Sequence, residues 1–289
     1  MAGPSTGAGR VIDFRVALPP EEYGEARAGS TDESGYFGNY ERVYSGERGS
    51  DSIDAMVAAM DEAGVQLAVM QAEWGFGDYR KMNDAVHRIC SRYPDRFIPY
   101  VTVNPAAPDD MAAVVDREVK ERGARGVNLQ PYAYRLHCDD RRFYPMYERC
   151  RELGVAVTVH CSVNFTSDRP IDFGRPLHLD QVACDFPGLV LVANHGGWPW
   201  VTELVAVAWK HPTVYIEIGA ISPRYIAKPG TGWEPLVVYG QSLLQDRVLW
   251  ATDSMLPFAR SLAEARELPI KPEVLEKWLG GNAARLLGL

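Results

Sequence analysis

The stretch Leu189-Val190-Leu191-Val192-Ala193-Asn194-His195-Gly196-Gly197 opens with five consecutive apolar residues and then turns abruptly polar and glycine-rich. A continuous apolar run, with no polar alternation, describes a strand covered on both faces, as in a parallel sheet. Upstream, runs of the same kind occupy 11–16, 65–70, 97–103, 126–129 and 155–160. Downstream they occupy 214–218 and 248–251. Helical patterns fill the intervals. Ile53, Met56, Val57 and Met60 recur at helical spacing behind the capping candidates Asp51 and Ser52. Further helices are predicted over 82–90, 108–122, 143–153, up to about Cys184, 201–209, 236–244 and around Arg260. Eight strand–helix units in one series, with no second composition regime, predict a single α/β domain over 1–289 folded as a (β/α)8 TIM barrel. Residues 271–289 form an extra C-terminal helix in this reading. Residues 1–9 form a disordered tail, and the polar segment 19–50, too long for an ordinary connection, forms a lid over the barrel mouth.

Composition narrows the function classes. Hydrophobic residues make up 46% of the 289 and charged residues 24%, the balance of a folded globule. Thirty basic against 38 acidic side chains give a net charge of −8, without basic runs, which argues against nucleic acid or an anionic membrane as partner. No apolar stretch has the roughly 18 residues of a membrane span, and Met1 to Gly9 lacks the features of a secretory signal. Five cysteines, Cys90, Cys138, Cys150, Cys161 and Cys184, are scattered without paired spacing, which predicts reduced thiols and a cytoplasmic protein.

In a closed parallel barrel, reactive groups stand at the C-terminal ends of the strands. Those ends carry Asp13-Phe14-Arg15, Asn128-Leu129-Gln130 before Pro131-Tyr132, His160-Cys161, Asn194-His195, Glu217 and Thr252-Asp253-Ser254. His160, His195 and Asp253 therefore converge on one face. The other histidines, His87, His137, His178 and His211, fall in helices or loops, where surface or supporting roles are expected. Plainer readings exist for each candidate. Asp253 suits a helix cap, Gly196 and Gly197 a backbone turn, and Cys161 a small core residue. Arg15 at an inward-facing strand end needs an anion, and Glu217 is the expected partner.

These segments resemble a known family. Val192-Ala193-Asn194-His195-Gly196-Gly197-Trp198-Pro199-Trp200 is similar to the H-x-G-G-x-P segment of the amidohydrolase superfamily, in the branch related to aminocarboxymuconate-semialdehyde decarboxylase. Tyr93-Pro94-Asp95-Arg96-Phe97, Val103-Asn104-Pro105, Gly126 to Pro131, Val159-His160, Ala251-Thr252-Asp253 and Gly281-Asn282-Ala283-Ala284-Arg285-Leu286 match further family segments in order. The resemblance implies metal ligands at His160 and Asp253, with His195 beside them, and a homodimer. It also exposes a departure. Where relatives carry D-x-H-x-H after the first strand, this chain has Asp13-Phe14-Arg15-Val16-Ala17, and Gln130 stands where a histidine is common. Zinc normally takes three protein ligands plus water.

On that basis the family's metal site is expected to be lost, and the resemblance, which extends to metal-independent lactonases, implies a site with no metal cofactor that hydrolyses a small carboxylated lactone or ester. Asp253 is the expected general base, and His160 and His195 polarise the carbonyl. Arg15 grips a substrate carboxylate with two parallel hydrogen bonds. Gln130, Tyr132, Glu217 and Trp198 complete the substrate site, with Trp200 as a further wall. The loop after His160 (Asn164, Ser167, Arg169) and the lid (Tyr36, Phe37, Tyr40, Arg42, Tyr44) shape it. One alternative is a decarboxylase of a small aromatic or unsaturated acid, using zinc or manganese held by His160, His195 and Asp253, with Glu217 filling in. Another is a non-hydrolytic isomerase, cyclase or ligand-binding descendant.

Overall fold

A computed structural model of the chain describes residues 9–23, 39, 42, 49–73 and 78–289. Eight strands run β1 (Ile12–Val16), β2 (Leu67–Gln71), β3 (Phe97–Thr102), β4 (Gly126–Leu129), β5 (Ala156–His160), β6 (Leu191–Asn194), β7 (Val214–Glu217) and β8 (Val248–Leu249). Each pairs in parallel with the next, in sequence order. Backbone bonds from Phe14 N to the Trp250 carbonyl (3.1 Å) and from Asp253 N to the Arg15 carbonyl (2.9 Å) bring the last strand back to the first. The predicted TIM barrel is what the chain forms.

The crossovers are α1 (Ile53–Ala63), α2 (Tyr79–Arg92), α3 (Met111–Lys120), α4 (Tyr144–Leu153), α5 (Leu177–Asp185), α6 (Val201–Lys210), α7 (Glu234–Gly240) and α8 (Phe258–Arg266). The start of α1 follows from its capping chemistry. The Ser52 hydroxyl accepts from Ala55 N, and Gly64 ends the helix in the left-handed region at φ 74°. Ile53, Met56 and Met60 are buried, as their spacing requires. The C-terminal segment 272–287 is helical, and Trp278 in it is buried and accepts at its carbonyl from Trp250 N (2.9 Å).

Register places polar side chains side by side inside the barrel. Asn128 pairs with Thr102 on one side and Thr158 on the other, and His160 pairs with Asn194. Most of the expected lid, including Tyr36, Phe37, Tyr40 and Tyr44, lies outside the described residues, as does the tail over 1–8. All five cysteines are free thiols. Among the described residues, no helix is long and apolar enough to cross a membrane.

Candidate active site

Arg15 lies at the centre of the site. Its side chain is 1% exposed and projects from β1 into a polar cage built by neighbouring strands. Nε donates to Asp253 Oδ1, Nη1 to Gln71 Oε1 (2.5 Å) and Asn128 Oδ1 (3.2 Å), and Nη2 to Glu73 Oε1 (2.5 Å). The Asn194 amide, with its oxygen turned to Arg15 Nη1 (3.1 Å), donates to Glu217 Oε2 (3.3 Å). A second tier fixes the cage. Thr158 Oγ1 donates toward Gln71 Oε1 and Asn128 Oδ1, both at 2.9 Å, while Gln71 and Asn128 donate to the Phe14 and Ala72 carbonyls.

These contacts correct two expectations. Glu217 is not the ion-pair partner of Arg15; Asp253 and Glu73 are, and Glu217 is hydrogen-bonded to the arginine through Asn194 while its charge acts from further off. The paired hydrogen bonds assigned to a substrate carboxylate go instead to protein acceptors. Arg15 acts as a fixed positive charge beneath the cavity.

The charge balance sets the protonation states. Asp13, Glu73, Glu217 and Asp253 are all buried around this one guanidinium. Burial lowers the arginine's proton affinity, but the carboxylates of Asp253, Glu73 and Glu217 outweigh it and hold Arg15 above its ordinary value. Burial pushes Asp13 up to about 7, against hydrogen bonds from Thr252 and Arg15 N. Burial likewise lifts Glu217 to about 8, with Arg15 opposing. It raises Asp253 too, and again the charge and hydrogen bond of Arg15 pull the other way. The two imidazoles go in the other direction. Burial and then Arg15 lower His195 to about 3, and burial, His195 and Arg15 hold His160 well below its usual value. Both are neutral at pH 7. Because a carbonyl only accepts, the Gly219 oxygen at 3.2 Å assigns the His195 proton to Nδ1, and the Ser162 oxygen at 3.2 Å assigns that of His160 to Nε2.

Stability should therefore fall as pH rises from 6.5 to about 8. The two histidines are neutral in the fold, and the unfolded chain sheds its remaining histidine protons by about pH 7.5, so their opposing slope fades early in this window. Glu217 keeps its proton in the fold to about 8, whereas the unfolded chain has lost it near 4, so the folded form loses its advantage through this window. Thermal melts should show the decline, and Glu217→Gln should flatten it. A wild-type melting temperature that climbs across that window would contradict this assignment.

Above the cage opens a cavity of about 510 Å³, within the roughly 300–1,000 Å³ typical of small-molecule sites. Arg15, Gln130, Tyr132, His160, His195 and Asp253 line it, and Trp198 stands at its side. Gln130 Oε1 is buried with no hydrogen-bond partner among the described residues. The Tyr132 ring lies 4.6 Å from His160, which lies 4.9 Å from His195. Asp253 Oδ2 is 3.8 Å from His195 Nδ1. Of the loop residues, Asn164, Ser167 and Arg42 line the cavity; Arg169 pairs with Asp168 at 3.1 Å, and neither Glu217 nor Trp200 lines it. Burial raises the Cys161 thiol to about 12, in keeping with a core residue. His195, Ala220, Asp253 and Ser254 all have φ between 54° and 65°, so left-handed backbone that disfavours side chains is concentrated in the loops after β6, β7 and β8.

Gln71 and Glu73 were not among the sequence candidates, because the second apolar run seemed to end at Met70. Carrying the strand-end rule three residues further finds both. Thr158 offered no such signal, being one hydroxyl inside an apolar run.

Comparison with known proteins adds reaction chemistry to this geometry. A 2-amino-3-carboxymuconate-6-semialdehyde decarboxylase from Dictyostelium discoideum is 24% identical over 238 residues, covering 72% of this chain and 66% of that relative, just under two thirds of its length. An uncharacterized TIM-barrel protein from Bordetella bronchiseptica is 31% identical, with a TM-score of 0.80, over 96% of this chain and 98% of that one. A 5-carboxyvanillate decarboxylase from Novosphingobium aromaticivorans, complexed with manganese and 4-hydroxy-3-methoxy-5-nitrobenzoic acid, superposes with a TM-score of 0.67 at 18% identity, covering 100% and 98% of the chains.

Two expectations are overturned here. Decarboxylases among the relatives favour a carboxy-lyase over lactone hydrolysis. The manganese complex likewise corrects the expectation that no metal cofactor goes with this scaffold. In the arrangement described above, the side chains at the mouth are not set out as ligands. Arg15 holds Asp253 and Glu73, and among the described residues the groups of three donor atoms close enough to share an ion lie elsewhere. The amidohydrolase family model (Amidohydro_2) matches residues 12–289, from the first residue of β1 to the C-terminus, and the chain belongs to that family.

Proposed function

We propose that this protein is a carboxy-lyase that removes carbon dioxide from a small aromatic or unsaturated carboxylic acid. One observation carries the reading: a buried carboxyl, Asp253, stands at the floor of the cavity, bonded through one oxygen to a fixed guanidinium and flanked by two neutral imidazoles. Decarboxylation needs a place for the electron pair of the broken carbon–carbon bond and a proton for the carbon that receives it. Arg15 supplies positive potential beneath the ring, in a dry setting where such a charge acts strongly. Burial raises the proton affinity of Asp253 against the pull of Arg15, and in this reading its carboxyl carries the proton that the product carbon receives.

In this reading the bond to the carboxylate breaks, carbon dioxide leaves, and the electron pair spreads over the unsaturated system. The Asp253 proton then moves to the vacated carbon, and Arg15 stabilises the resulting carboxylate. His160 and His195 face the substrate as neutral groups, without a charge that would hold the departing carboxylate in place. The unpartnered Gln130 oxygen accepts from a substrate hydroxyl. A small anionic substrate and the homodimer expected from the family resemblance belong to the same reading.

The test is a panel of small ring and diene carboxylic acids, assayed for carbon dioxide with manganese added and with chelator, beside simple lactones. Release of carbon dioxide from a ring or diene acid supports the reading. Lactone opening without carbon dioxide would refute it. A rate that rises with manganese, together with one bound ion per chain, would mean that Arg15 leaves Asp253 to admit the ion.

A further inference from the structure

The geometry points to a zinc site on the rim of the barrel, formed by His137, His178 and Asp172 and braced from behind by Asp139. His137 follows β4, Asp172 lies in the short turn Ile171–Gly174 after β5, and His178 is the second residue of α5. Ligand atoms from these three side chains all lie within 4.8 Å of one another. His137 Nε2 is 3.7 Å from Asp172 Oδ2, close to the separation of about 3.4 Å between donors set tetrahedrally at roughly 2.1 Å from one ion. The two imidazoles stack with centroids 3.8 Å apart, so one ring must turn out of the stack for both to aim a nitrogen at a shared ion, and His137 Nδ1 is buried with no partner among the described residues.

The supporting contacts are those a zinc ligand uses. His178 Nδ1 lies 3.0 Å from Asp139 Oδ2, which fixes the ring and leaves Nε2 for an ion, as in carboxylate–histidine–zinc triads. Arg175, the nearest cation to Asp172 at 3.9 Å, is engaged by both oxygens of Glu203. Two imidazole nitrogens and one carboxylate oxygen, with room for water on the half-exposed side, suit zinc better than calcium or magnesium. The other grouping of three donors, Asp180, Cys184 and His211, is less suitable: Lys210 Nζ sits 2.8 and 2.9 Å from the two Asp180 oxygens.

None of the three ligands lines the cavity. The loops they join do, through Tyr132 after β4 and Asn164 and Thr166 after β5. An ion here would clasp two walls of the cavity together without touching the reacting groups, and the inference stands whether or not the decarboxylase reading holds.

The experiment is titration of tag-free, full-length protein with zinc by calorimetry and with cobalt(II) by visible absorption. Wild type should take up one ion at this site and show the absorption of a tetrahedral cobalt centre. His137→Ala and the more exposed Asp172→Asn should lose both signals. Asp139→Asn should bind about ten- to a hundredfold more weakly. Asp253→Asn should bind like wild type, which separates this site from the mouth. No zinc uptake by wild type, or equal uptake and an unchanged cobalt spectrum in a well-folded Asp172→Asn, would overturn the assignment.

Discussion

Arg15→Met should cost the fold roughly 3–5 kcal/mol and carbon dioxide release at least about a hundredfold. Both effects come from the same contacts. Methionine fills the space of the stem but takes the guanidinium away from Asp253 and Glu73 and leaves Gln71 and Asn128 sharing the Thr158 hydroxyl, in a region nearly closed to water. Breaking a buried pair from one side leaves an uncompensated charge, so the remaining carboxyls must bind protons or admit water. Arg15→Lys keeps the charge but not the planar fork, which reaches Asp253, Gln71 and Glu73 from three nitrogens at once. It should be intermediate in stability and still poorly active. Urea unfolding with an unchanged slope, together with initial rates, reads both quantities. An Arg15→Met protein that matched wild type in midpoint would show that the cage is not under the electrostatic tension described.

Asp253→Asn separates chemistry from folding. The amide keeps the shape of the carboxyl, and its oxygen can still accept from Arg15 Nε, so the melting temperature should change little beside the loss in rate. Removing a positioned proton donor should slow turnover by about 10²–10⁴-fold. In wild type the rate should fall as pH rises through the elevated Asp253 value, because the acid form is the one that delivers the proton. Asp253→Asn should lose that limb of the profile along with the rate. A variant with wild-type turnover would remove Asp253 from the proposed proton transfer.

The barrel was legible because burial on both faces forces continuous apolar runs, and eight of them stand in series with helices between. The strand-end rule then located Arg15, His160, His195 and Asp253, all of which line one cavity. It could not say how they are wired. Glu217 looked like the natural partner of Arg15, yet the arginine reaches Asp253 and Glu73, since pairing depends on strand tilt and side-chain length rather than on order along the chain. Thr158 and Asn128 became neighbours through β4–β5 register, which no single segment encodes. The reaction class was misjudged because an arginine in place of a family histidine argues about charge and says little about which bond is broken. The rim histidines were given only surface or supporting roles for a related reason: His137 and His178 lie 41 positions apart, and only the fold stacks their rings.

The most direct check is to run the reaction in heavy water with an accepted ring or diene acid and locate the new hydrogen in the product. The account predicts one deuteron on the carbon that lost its carboxylate, one carbon dioxide per product, and loss of both in Asp253→Asn. A product that keeps every carboxylate and gains the elements of water would contradict it.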